Sequence, residues 1–213
     1  MASNWKENLS IRERAVLKGL YSPLKIQAYL DTLKINFEKG GDTCSSPRVV
    51  LKRGSAHCIE AALLAAAAMI YHGQPALLLD LKANDRDFDH VVALFKRKGR
   101  WGAISKSNHM PLRYRDPVYL TVRELAMSYF NEYVNDRREK TMRSHSPPFS
   151  LKRYGYSWIT SPEDLWQIAN ELDEARHFGV LPKGFRPRKV DKIEWAAGQL
   201  DEWSPKTGNL VKY

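Results

Sequence analysis

The chain has 213 residues, 43% of them hydrophobic and 27% charged, with a formal net charge of +10. This is the balance of a soluble globular protein with a sizeable core. The longest apolar run, 61–71, is about half of the roughly 20 residues a bilayer-crossing helix needs, and "MASNWKENLSIRERAV" has no signal-peptide core, so no membrane partner and a cytoplasmic location are expected.

Cys44 and Cys58 are expected to be free thiols, because no secretory signal accompanies them. The positive charge would welcome an acidic partner. Its carriers are scattered through "KRKGR" (96–100), "DRREKTMR" (136–143) and "KGFRPRK" (183–189) and form no nucleic-acid motif, so a basic nucleic-acid-binding protein ranks third among the readings.

Along the chain, "SP" recurs at 22, 46, 146, 161 and 204 and "DP" at 116, the pattern of an N-cap followed by proline in the first helical turn. It predicts one helix from Ser22 to about Lys34 and another from Asp116 to about Arg138. Ser161 with Asp164 reads as a capping box before "LWQIANELDEARHF", a helix that Gly179 would end. The stretch from Ile59 to Tyr71 is apolar on nearly every face, and a helix without a polar side must be surrounded by protein. Gly73 would end it. The short aliphatic runs "QPALLLDL", "HVVALF" and "RWGAIS" then read as strands, the last two joined by a hairpin turn at "KRKG". Residues 140–156 turn polar and proline-rich, as a loop or internal linker does.

These elements predict an α+β fold in which a central cysteine-bearing helix packs on an antiparallel sheet, with additional C-terminal helices. Residues 1–156 are expected to form the main domain with its N-terminal helices, and 157–213 a helical appendage packed on the same core.

Cys58 would head the central helix, where the dipole and free N–H groups lower a thiol's pKa and can hold an oxyanion. His90 would head the strand "DHVVALF" and present a rigidly held imidazole. His57 is not expected to face the same way as Cys58 at a helix start; capping or lining the cleft suits it better. Gln27 lies upstream, as an oxyanion-hole amide would, but inside a predicted helix. Tyr129, Phe130 and Tyr133 are expected to pack in a core or interface. There is no C-x-x-C, H-x-x-x-H, P-loop or G-x-G-x-x-G pattern, so neither metal nor cofactor is expected.

The text "GSAHCIEAALLAAAAMIYHGQPALLLDL", then "DHVVALF", then "GRWGAIS" resembles the transglutaminase-like superfamily, whose fold is related to that of papain-like cysteine proteases. The resemblance covers roughly residues 22–110. It implies Cys58 as nucleophile and His90 as general base in acyl transfer or hydrolysis of a peptide or protein amide through a thioester. The family's acid lies about four positions after a tryptophan, and four after Trp101 stands Ser105. A serine can accept the ring N–H but brings no charge. Asn108 in "SKSN" stands level with it, in the neutral orienting role asparagine has in papain-like enzymes, while Asp89 or Asp116 could bring a carboxylate from another direction. The missing aspartate is the best support for the alternative, a catalytically degenerate binding or scaffold protein of the same fold.

Overall fold

The computed structural model describes residues 5–198, 202–204 and 209–211. After a 3-10 turn at Trp5–Asn8, helix α1 runs Ile11–Gly19 and α2 Pro23–Thr32. Ser10 and Glu13 close a capping box on α1, and Ser22 caps α2 with Pro23 in its first turn, so local sequence sets both starts. Strand β1 (Lys34–Ile35) is followed by α3 (Pro47–Arg53), capped by Ser46 and ended by Gly54 at φ 75°, a left-handed position that glycine takes without strain. Strand β2 (Ser55–Ala56) pairs in parallel with β1 and delivers the chain to α4 (Cys58–Tyr71).

Four antiparallel strands come next in sheet order: β3 (Leu77–Lys82), β4 (His90–Arg97), β5 (Arg100–Ile104) and β6 (Arg115–Tyr119). Arg97 pairs with Arg100, so Lys98 and Gly99 form a two-residue turn, and both have positive φ (49° and 77°) as a type I′ hairpin demands. Alternation along the strands divides the core. Leu78, Val91, Ala93, Phe95 and Ile104 lie in one cluster with the alanines of α4; Leu79, Leu81, Val92, Leu94 and Ala103 lie in a second with Leu125, Ala126 and Tyr129 of α5 (Val122–Phe130). Every residue of α4 from Glu60 to Met69 is buried, as an all-apolar helix requires. The fold is α+β.

Several local expectations give way. Asp116 opens no helix: residues 115–119 form the edge strand β6, with Asp116 and Val118 outward, and an edge tolerates Pro117 because its missing N–H costs no ladder bond. Helix α5 starts instead behind Thr121, which makes a capping box with Glu124, and stops at Phe130. The segment 140–156 is no linker. Its strands β7 (Ser144–His145) and β8 (Phe149–Ser150) both pair with β3, interrupted only by Pro147 and Pro148, and Ser146 accepts the Asp80 N–H at 3.0 Å rather than capping a helix.

Ser161 and Asp164 do not cap α6 (Trp166–Asp173), which starts behind Leu165 without a side-chain cap. Asp164 instead accepts from Cys44 N at 3.2 Å and Ser45 Oγ at 3.1 Å, stapling the later chain to the approach to α3. The helix ends at Asp173, and Gly179 belongs to β9 (Phe178–Gly179), paired with β7. Trp158, Ile159, Ile168 and Leu172 share the buried cluster of α4, and α7 spans Lys192–Gly198. Of the "SP" at 204, Pro205 lies outside the described residues. No helix among the described residues is long and apolar enough to cross a membrane.

Candidate active site

Cys58 is the first residue of α4 and is partly exposed, while His90 is the first residue of β4 and is 5% exposed. The two element starts meet: Cys58 Sγ lies 3.8 Å from the backbone oxygen of Asp89, the residue before His90. Burial alone would push this thiol up. Hydrogen bonds from His57 and His90, with the charge of the two rings, outweigh burial and bring it down to about 5. Cys44 is fully buried, and burial with the nearby carboxylates of Glu60 and Asp164 pushes it up to about 12. Both cysteines are free thiols.

The ring of His90 is held from behind. Its Nε2 lies 3.0 Å from Ser105 Oγ and 2.9 Å from the Leu112 carbonyl oxygen. Ser105 Oγ is itself 2.7 Å from that oxygen and 3.1 Å from the Arg113 carbonyl. Carbonyl oxygens only accept, so the hydroxyl proton goes to one of them and the serine accepts the ring N–H. Nε2 therefore carries a proton, and Nδ1 is left for the sulfur. Tyr129 and Tyr133 pack edge-on against the ring, and the Tyr133 hydroxyl donates to the Phe88 carbonyl at 2.6 Å, anchoring the loop that delivers His90.

Ser105 lies just past the end of β5, and Gln27 of α2 holds its backbone. Gln27 Nε2 donates to Ser105 O at 2.9 Å and Oε1 accepts from Ser105 N at 3.2 Å. Its second Nε2 hydrogen goes to Asp31 Oδ1 at 3.0 Å, so the amide is fully committed and Gln27 positions the serine. Asn108 lines the same cleft as Cys58 and His90, but Ser105 and Leu112 hold the ring nitrogen. Neither alternative carboxylate backs that nitrogen: Asp89 Oδ1 accepts the Ala83 N–H at 2.7 Å, and Asp116 is exposed on the edge strand. The cleft measures about 830 Å³, and Ile35, Phe37, Phe88 and Tyr133 are among its lining residues.

His57 is the N-cap residue of α4 and lines the cleft, as expected, and its ring also helps to bring the Cys58 thiol down. Its Nε2 lies 2.9 Å from the Thr43 carbonyl, 3.4 Å from Glu38 Oε1 and 3.7 Å from Glu60 Oε1. Glu60 escaped the sequence reading altogether. It is fully buried and accepts from Asn36 Nδ2, Thr43 Oγ1, Ser45 N, Arg53 Nη2 and His57 N, tying three segments to the helix start. A lone glutamate three positions after His57, at the front of an otherwise apolar helix, was the available signal.

The carboxylates of Asp80, Asp89 and Asp173 also converge, with one oxygen of each within 4.8 Å of the others, a grouping that short-spacing motifs do not reveal. Positive charge is already at hand there: Lys82 Nζ lies 2.6 Å from Asp173 Oδ1, and His177 Nε2 lies 3.0 Å from Asp80 Oδ2. In comparisons with known proteins, no family model and no curated protein matches the sequence.

Proposed function

We propose that this protein is a transglutaminase-like cysteine enzyme, acting on a peptide or protein amide, or a related ester, by acyl transfer or hydrolysis through a thioester. The observation that carries this reading is the meeting of Cys58, at the N-terminus of a buried 14-residue helix, with an imidazole whose far nitrogen is fixed by Ser105. A packing cysteine has no use for such company.

In the proposed reaction the Cys58 thiolate attacks the carbonyl carbon, and the carbonyl π pair moves to oxygen as an oxyanion facing the free N–H groups at the start of α4. An imidazolium beside the sulfur gives its proton to the departing amine as the C–N bond breaks. His90 then takes the proton of the water or amine that resolves the thioester, and the thiolate leaves. A reducing cytoplasmic setting suits two unpaired thiols.

A second reading has one specific observation behind it. Behind His90 stand only a hydroxyl and a carbonyl, which stabilise an imidazolium less than a carboxylate does, and a binding protein that has lost efficient chemistry would tolerate this. Exposure of the folded protein to p-nitrophenyl acetate separates the two. The enzyme reading expects one acetyl group, located on Cys58 by peptide mass and absent in Cys58→Ser. Absence of acetylation in the wild-type chain favours the scaffold.

A further inference from the structure

The rings of His57 and His90 line one cleft with Cys58, and their surroundings differ. The Thr43 carbonyl, 2.9 Å from His57 Nε2, can only accept, so Nε2 is protonated and Nδ1 is the nitrogen left for Cys58. Behind this ring stand Glu38 at 3.4 Å and the fully buried Glu60 at 3.7 Å. Both carboxylates are fixed in place: Glu38 Oε1 accepts Thr43 N at 2.7 Å, and Glu60 is held by Arg53 and three further side-chain and backbone donors besides the His57 N–H. His90 Nε2 meets only Ser105 Oγ and the Leu112 carbonyl. Of the acids of the loop before it, Asp87 accepts from the Thr141 hydroxyl and Asp89 from Ala83 N, while Asp85 lines the same cleft.

We propose that His57 is a catalytic residue that carries the positive charge paired with the Cys58 thiolate, while His90 serves as the base toward the water or amine, so that the two tasks of one histidine in a cysteine dyad are divided between two rings. The inference rests on the cysteine-enzyme reading. Burial would lower the His57 pKa, but its hydrogen bond to Cys58 and the charges of Cys58, Glu60 and Glu38 raise it to about 9.

The proton balance closes. The thiol proton moves to His57 Nδ1, leaving thiolate and imidazolium. In acylation that proton goes to the departing amine as the C–N bond breaks. In deacylation His90 Nδ1 takes a proton from water, the hydroxide carbon–oxygen bond forms, the thioester carbon–sulfur bond breaks, and the proton returns to His57 beside the freed thiolate.

The test uses the full chain: ¹⁵N spectra of the histidine rings at pH 7, and iodoacetamide alkylation of Cys58 at pH 6. The wild-type protein is expected to show His57 protonated on both nitrogens and His90 on Nε2 alone. His57→Gln is expected to slow alkylation at least about tenfold, the loss of thiolate at pH 6 when the thiol regains about two pKa units from about 5, and His90→Gln by less than His57→Gln does. Glu38→Gln, a half-exposed change, should slow it about threefold, and together with the ring spectra it decides the matter if His57→Gln fails to fold. A doubly protonated His90 beside a singly protonated His57, with alkylation at pH 6 intact in His57→Gln or Glu38→Gln, overturns the division while sparing the cysteine-enzyme reading. A wild-type Cys58 inert at pH 6, with neither ring doubly protonated, overturns both.

Discussion

The hydroxyl of Ser105 lies 3.0 Å from Nε2 of His90 and 2.7 Å from the carbonyl oxygen of Leu112, so one oxygen both accepts from the ring and donates to the main chain. From sequence, aspartate at this position looks like a repair. In the folded site it would set a carboxylate, which cannot donate, against the carbonyl oxygens of Leu112 and Arg113, acceptor against acceptor. Ser105→Asp is therefore expected to cost about 2 kcal/mol or more in urea unfolding and to slow Cys58 alkylation. Ser105→Ala leaves Leu112 as acceptor and should slow alkylation less than about tenfold. A stable Ser105→Asp that labels faster would show that the hydroxyl's donor role is misassigned.

Gln27 and the Ser105 backbone exchange two hydrogen bonds across a buried contact between α2 and the end of β5. Gln27→Leu strands a buried N–H and a carbonyl and should cost about 1–3 kcal/mol, read from the urea midpoint at constant slope. An unchanged midpoint would mean that another group holds this strand end.

Glu60 makes the site acid-sensitive. Burial would raise its carboxyl, but the charge of His57, the Arg53 hydrogen bond and the Ser45 N–H hold it below the usual carboxylate value. The folded pKa lies below the unfolded one, so the contribution is complete above the ordinary glutamate range and is lost as pH falls through the folded value. Glu60→Gln should destabilise the protein at pH 7 by about 3–5 kcal/mol, because Arg53 and His57 lose their buried counter-charge. The variant should also lose less stability than the wild type between pH 5 and pH 3. A wild-type-like slope in that interval would remove Glu60 from the account.

What the sequence made legible was set by short-range rules. The apolar run after Cys58 could only be a buried helix, the "SP" at 22 and 46 did mark helix starts, and the turn at Lys98 and Gly99 followed from its length. Rules of the same range failed where distant segments compete for the same groups. Asp164 has the spacing of a cap but spends its carboxylate on Cys44 and Ser45, more than a hundred residues away. Pro147 and Pro148 make 140–156 look like a linker, yet the residues on either side have β3 to pair with. In the site, Ser105 was found by its interval from Trp101, and Glu60 was within reach of the capping-box spacing, whereas Glu38 and Thr43 were not, because they meet the His57 ring only once the loop before α3 is folded onto the start of α4.

The most direct test of the central claim, that Cys58 is a thiolate at neutral pH, is the rate of its alkylation by iodoacetamide as a function of pH in the folded wild-type chain, with each cysteine followed by peptide mass. The account predicts half-maximal reactivity near pH 5 for Cys58 and no modification of Cys44, whose thiol is buried and raised to about 12. A Cys58 profile rising only near pH 9, like that of the same cysteine in the unfolded chain, would contradict it.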